Sequence, residues 1–179
     1  MDRLTELALA ARDGNAYALE EFVRRSQPQV RALCRHLGDP DTVDDLTQEV
    51  YYRALRSLPR YRNDGPAIGW LLTIARRTCA DATRRRVRHR RRAGSVPAVE
   101  EAAHDASWAD VADLVATLDA DRRQAFVLTQ FVGLSYADAA QVLGCPVGTV
   151  RSRVSRARAD LIETMAAGDA DRGTDSATD

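Results

Sequence analysis

The sequence predicts an all-α protein built as two small helical domains joined by a flexible linker. Three observations carry that prediction. Apolar residues recur at three- and four-residue spacing along most of the chain, and the alternating β-branched pattern of a half-buried strand is absent. Glycine and proline fall at Gly14, Gly38 with Pro40, Pro59, Gly65 with Pro66, Gly94 with Pro97, Gly133, Gly144 with Pro146, and Gly168, cutting the chain into pieces of ordinary helix length. Near residues 92–105 the helical period lapses into Ala, Gly, Ser, Pro and Glu, a linker composition. The expected division is 4–91, a linker over 92–108, a second domain over 109–166, and a disordered tail over 167–179.

Charge is balanced overall, with 26 basic and 26 acidic residues among 179, so no net field points to a polyanionic partner. Its distribution does. Arg76 to Arg92 holds nine arginines and the single acid Asp81, a local balance of 9 − 1 = +8. Acids gather instead at 39–49, at 100–121 and after Gly168. Different surfaces are thus fitted to different partners.

In chain order, the first informative element is the helix VDDLTQEVYYRALRSL, which Thr42 caps and Pro59 stops. Val43, Leu46, Val50 and Ala54 form its buried face, leaving Asp45, Gln48, Glu49, Tyr52 and Arg56 on the other side. An aromatic ring within an exposed polar patch is what a protein interface uses as an anchor. Next, the loop Asn63-Asp64-Gly65-Pro66 opens a helix whose core stripe is Ile68, Leu71, Leu72, Ala75, Cys79 and Ala82. Arg76, Arg77, Arg84 and Arg85 are left outside with Thr78 beside them, and Trp70 is expected to join the helices as a core residue. A polar loop followed by so much arginine suits a strand that must be held by its phosphates while one base is extruded.

In the second domain, a helix breaks at Gly133-Leu134. A short helix then opens at Ser135, with Asp138 three residues on as a capping-box variant, and ends at Gly144. Cys145-Pro146 turns into a third helix, PVGTVRSRVSRARADL. This is the spacing of a helix-turn-helix. At 100° per residue Val150, Val154, Ala157 and Leu161 share the core face. The opposite side carries Thr149, Ser152, Ser155 and Arg156, flanked by Arg151 and Arg153. Such a face fits a major groove, with the centre on base edges and the flanks on phosphates.

These strings carry a resemblance. The run LTQFVGLSYADAAQVLGCPVGTVRSRVSRARADL resembles region 4 of extracytoplasmic-function (ECF) sigma factors, and within them the actinobacterial SigC-type group. DDLTQEVYYRA resembles region 2.2, and LPRYRNDGPAIGWLLTIARRTCADATRRRVR resembles regions 2.3 and 2.4. The resemblance implies an alternative sigma factor that binds core RNA polymerase, recognises the minus-35 and minus-10 promoter elements and melts DNA. Asp45, Gln48, Glu49 and Tyr52 would meet the clamp helices of the largest polymerase subunit, with the flap of the second-largest as a further contact. Tyr61, Arg62, Asn63, Asp64, Arg76, Arg77, Arg84 and Arg85 would serve the minus-10 element. Thr149, Arg151, Ser152, Arg153, Ser155 and Arg156 would serve the minus-35 element. An anti-sigma factor is a partner the resemblance allows. Two residues depart from the pattern: Gly69, where Thr or Ser commonly precedes the tryptophan, and Pro66 in the loop.

Other classes fit less well. A DNA-binding regulator with a helical sensor domain would need neither the DDLTQE helix nor the arginine-rich one after it. A thiol or metal enzyme would have to use Cys34, His36 and Cys79, but the three cysteines lack CxxC spacing and residues two apart do not share a helix face. No catalytic activity, metal or cofactor is expected. No apolar run approaches the ~20 residues that span a bilayer, and the start lacks a signal-peptide core, so a cytoplasmic protein without membrane insertion is expected.

Overall fold

The computed structural model describes residues 2–92 and 106–174, and among these the chain is helical throughout, with no strand. The elements are α1 (Arg3–Arg12), α2 (Ala16–Leu37), α3 (Val43–Ser57), α4 (Ala67–Arg92), α5 (Ala106–Thr117), α6 (Ala120–Phe126), α7 (Tyr136–Leu143) and α8 (Val147–Thr174). The fold is thus all-α in two helical halves. Most of the expected linker, including Glu100, Glu101 and Asp105, lies outside the described residues, as do 175–179. α8 runs on to Thr174, past Gly168, where the sequence suggested that helix gives way to a disordered tail.

In the first half, α1 to α4 close around Phe22, Val30, Leu33, Val50, Leu71 and Leu72, all with essentially no exposed surface. The stripe expected on α3 is buried as drawn: Val43, Leu46, Val50 and Ala54. Its start differs. Thr42 occupies the N-cap position without a side-chain cap bond, because a short 3₁₀ turn over Pro40–Thr42 precedes the helix and the Thr42 hydroxyl donates back to the Asp39 carbonyl at 3.1 Å. Pro59 ends α3 by leading into a second 3₁₀ turn over Leu58–Arg60.

The start of α4 is capped across the chain. The Ala67 amide, fully buried, donates to the Thr5 hydroxyl at 2.9 Å, and that hydroxyl donates to Asp2 at 2.6 Å. Leaving such an amide unpaired would cost about 1–3 kcal/mol. Thr78, expected outside, is instead buried and back-bonds to the Ile74 carbonyl at 3.0 Å. Its short side chain fits among the helices once its hydroxyl is satisfied by its own helix.

In the second half α6, α7 and α8 pack around Val127, Leu128, Ala139, Val142, Val150, Val154 and Ala157. α6 does not stop at Phe126 but widens into a π-turn over Val127–Phe131, closed by the Val132 amide on the Val127 carbonyl at 3.0 Å. Gly133, at φ 81°, then turns the chain. Ser135 caps α7, accepting from the Asp138 amide at 3.1 Å and donating to its carboxylate at 2.6 Å. Gly144 ends α7 in the left-handed conformation, φ 66°.

Candidate nucleic-acid interface

The two halves meet along a seam that the sequence did not announce. α7 packs against α4, and the π-turn lies against α2. The His36 ring lies 4.0 Å from that of Phe131, the Gln29 amide donates to the Val132 carbonyl at 3.3 Å, and Arg76 donates to the Gln124 side chain at 3.3 Å. Two buried atoms in the seam, His36 Nδ1 and Arg76 Nε, have no hydrogen-bond partner among the described residues. Burial pushes the His36 imidazole below its ordinary pKa, aided by the charge of Arg35, and burial likewise pushes Arg76 down. Arg76, expected on the outside, is therefore drawn into the seam, whereas Arg77, one residue on, is exposed.

The loop before α4 is braced from within. The Tyr61 hydroxyl donates to the Gly65 carbonyl at 2.7 Å, its ring lies 5.1 Å from Trp70, and Arg12 donates to its carbonyl at 3.2 Å. With 5% of its surface exposed, Tyr61 shapes the loop and offers no open face in this arrangement. Asn63 holds φ at 62°, a conformation that Asn tolerates better than most residues. A cavity of about 370 Å³ opens here between Arg60, Arg62, Asp64, Trp70, Gln141 and Val142, so the second half closes over it from one side. Trp70 is half-buried against the core and lines that cavity. Gly69 faces Val142: a Cβ there would lie 3.9 Å from it, an ordinary contact, so the small residue is not forced by space.

Further along α4, Arg84 and Arg85 are exposed. Asp81 is held between Arg84 at 2.5 Å and Arg53 at 2.9 Å, and both pull its carboxyl below the usual range, Arg53 more strongly. Arg53 also holds Glu49, at 2.7 Å. On α3, then, Asp45, Gln48 and Tyr52 are exposed, while Glu49 is half-buried and engaged within its own half. Arg56 stacks on Tyr52, 5.6 Å from the ring centre, and donates to its hydroxyl at 3.0 Å.

On α8, Val150, Val154 and Ala157 are buried as expected, and Arg151, Ser152, Ser155 and Arg156 are exposed on the opposite side. Thr149 is half-buried at the start of the helix. Arg153 differs from its neighbours. It is ion-paired with Asp121 at the start of α6, and its guanidinium sits 3.7 Å from the Cys145 sulfur. Arg158 donates to Gln130. The geometry is that of a helix-turn-helix whose second helix shows an open polar face with no acid before Asp160.

Similarity to known proteins covers both halves. Residues 22–89 match the family model "Sigma-70 region 2", and residues 108–161 match "Sigma-70, region 4". The chain is 44% identical over 167 residues to "ECF RNA polymerase sigma factor SigC" of Mycobacterium tuberculosis, covering 90% of each chain. It is 35% identical over 172 residues to "RNA polymerase sigma factor CnrH" of Cupriavidus metallidurans, covering 87% of this chain and 90% of that one. Among solved structures, CnrH in complex with the cytosolic domain of CnrY superposes with a TM-score of 0.76 at 31% identity, over 93% of this chain and 99% of that one. The sigma factor RpoE in complex with the anti-sigma factor NepR from Bartonella quintana does so with a TM-score of 0.73 at 31% identity, over 82% and 96%.

Proposed function

The chain belongs to the ECF group of the sigma-70 family, and from that premise we propose how its surfaces divide the work of an alternative sigma factor directing promoter-specific transcription initiation. The first half, 4–91, docks core polymerase through Asp45, Gln48 and Tyr52 on α3, with Glu49 steadying the patch through Arg53. The acids and the ring suit a basic partner surface such as the clamp helices of the largest subunit. The second half, 109–166, also meets the flap of the second-largest subunit.

DNA is divided between two places. The loop at 61–66 captures a base of the minus-10 element while Arg77, Arg84 and Arg85 hold phosphates, and Arg76 joins them once the seam parts. α8 enters the major groove at the minus-35 element, with Arg156, Ser152 and Ser155 toward base edges and Arg151 and Arg153 toward the backbone. The 92–108 segment lets the halves separate to reach both. An anti-sigma factor is the expected restraint, supported by the solved complexes of CnrH with the cytosolic domain of CnrY and of RpoE with the anti-sigma factor NepR. Work with polymerase places the protein in the cytoplasm, and no helix among the described residues is long and apolar enough to cross a membrane.

One observation carries this reading: a single chain presents an open polar face with exposed arginines on a helix-turn-helix, and a separate acidic face with an exposed aromatic on α3. Reconstituted holoenzyme should select DNA with two spaced motifs and start transcripts downstream of them. Selection of a palindrome by the protein without polymerase would favour a dimeric regulator instead.

A further inference from the structure

Behind the seam lies a pair of thiols that the proposed function does not use. Cys34 in the last turn of α2 and Cys79 in the middle of α4 are both buried, and their sulfurs stand 3.9 Å apart. They are 45 residues apart in sequence, and both are free. We propose that Cys34 and Cys79 form an oxidant-responsive pair, which a hydroperoxide converts to an intramolecular disulfide that draws α2 onto α4 and loosens the seam.

The order of events follows from the surroundings. The hydrogen bond from Cys79, with Thr47 and Arg31 helping, lowers the pKa of the Cys34 thiol against the opposing effect of burial. The same bond, together with burial, pushes Cys79 up. Cys34, in the last turn of its helix, is better placed to meet an oxidant than Cys79 in the middle of α4, and is taken as the first nucleophile. Its place in the final turn of α2, where the Gly38 amide closes on the Cys34 carbonyl at 2.9 Å, gives the oxidant a route when that turn frays. The Cys34 thiolate breaks the peroxide O–O bond and becomes a sulfenic acid, releasing an alcohol or, from hydrogen peroxide, water. The Cys79 sulfur then attacks that sulfur. The S–S bond forms, the S–O bond breaks, and the oxygen leaves as water with the remaining thiol proton. The balance is two thiols and one hydroperoxide to one disulfide, one alcohol and one water.

Bond formation brings the sulfurs from 3.9 Å to about 2.05 Å. The elements that must give are those that hold the seam. His36 lies two residues after Cys34 and Arg76 three before Cys79, and each already has a buried polar atom with no partner among the described residues. A contact with so little to spare loosens when its two supports shift.

The test uses the full-length reduced protein, without polymerase or DNA. After hydrogen peroxide and alkylation, digestion should yield one linked peptide joining Cys34 to Cys79, with Cys145 alkylated. Amide exchange over 124–132 and 139–143 should rise several-fold and return on reduction. Cys145→Ser should keep both effects, and Cys79→Ala should lose both. Should Cys79→Ala not fold, wild-type linkage mapping and reversal by dithiothreitol decide the matter. Oxidation confined to Cys145 would overturn the proposal, as would a linked pair with unchanged exchange at the seam. Only the bearing on transcription rests on the function proposed above, so failure here leaves the holoenzyme experiment untouched.

Discussion

α8 turns Arg151 and Arg156 to solvent, whereas α4 turns Arg76 into the seam, where its Nε is buried with no partner among the described residues. Both helices are rich in arginine, and both have a clean apolar stripe. They differ in what lies opposite the stripe. α8 packs within its own half and leaves its polar face open. α4 packs on both sides near Gly69 and Arg76, with α7 and α6 of the second half supplying Val142 and Gln124. The surface proposed for the minus-35 element is thus open in this arrangement, and the one proposed for the minus-10 element is half covered. Readiness for DNA is a property of tertiary arrangement, not of arginine content.

The comparison assumes that polymerase brings both surfaces to one promoter, and the largest expected effect tests that assumption. Asp45→Arg with Gln48→Arg should weaken binding to core polymerase by roughly 2–5 kcal/mol, measured by co-elution and anisotropy. A folded double variant that binds undiminished would remove α3 as the docking face. Next is the open surface itself. Arg156→Ala should cost about 1–3 kcal/mol and relax preference at one or two positions of the minus-35 element, read with holoenzyme on single-base variants. Arg153→Ala should weaken all sequences alike, because Arg153 reaches toward Asp121 at the edge of the face. Opposite behaviour of the two variants would mean that the recognition helix is turned the other way.

The covered surface is sharpened by a pair of neighbours. Arg76→Met removes a desolvated guanidinium and should tighten the closed arrangement by ~1–2 kcal/mol, seen as slower amide exchange over 124–132. Arg77→Met, at an exposed position, should leave that exchange unchanged. Equal effects would dissolve the contrast between the two arginines.

The smallest effect is one of pH. Burial holds the His36 imidazole below its ordinary value of 6.5, with Arg35 adding its charge from the same helix and Phe131 facing it across the seam. The open or unfolded state therefore binds the proton more readily. The seam is fully supported above the ordinary value, and its support declines as pH falls below it. Opening of the seam, read as amide exchange corrected for its intrinsic slowing at lower pH, should increase between about pH 7 and pH 5.5, and His36→Phe should flatten that increase. A profile unchanged by the substitution would assign the pH response to another group.

What was legible in the sequence was local. The α8 faces follow from one helical period, and the cap at Ser135 and the stop at Gly144 follow from side chains within a few residues. The buried stripe of α3 came out by the same rule, and that of α4 did at Leu71, Leu72, Ala75 and Cys79, with Ile68 and Ala82 half-buried. What was not legible depends on residues distant in sequence. Tyr61, which the resemblance assigns to the minus-10 element, is buried against Trp70 and held by Arg12, 49 residues earlier. Arg76 and Thr78 read as outside because periodicity on α4 sees one packed side only. The seam residues Gln29, His36, Gln124, Phe131 and Gln141 carried no signal beyond being ordinary helix residues. The Cys34–Cys79 pairing was equally hidden, since spacing of 45 residues says nothing about which helices cross.

The π-turn over Val127–Phe131 has a consequence for how this chain tolerates changes in length. A turn closed five residues back, in place of four, holds one residue more than the α-helix around it needs. It works as slack in the helix. Removing Thr129 should let the segment rewind as ordinary α-helix, with the residues before it and the helix-turn-helix after it still in phase. Its cost would fall on the place of the Phe131 ring against His36. Loss of a single codon would then retune the contact of Phe131 with His36, without altering any residue expected to touch DNA.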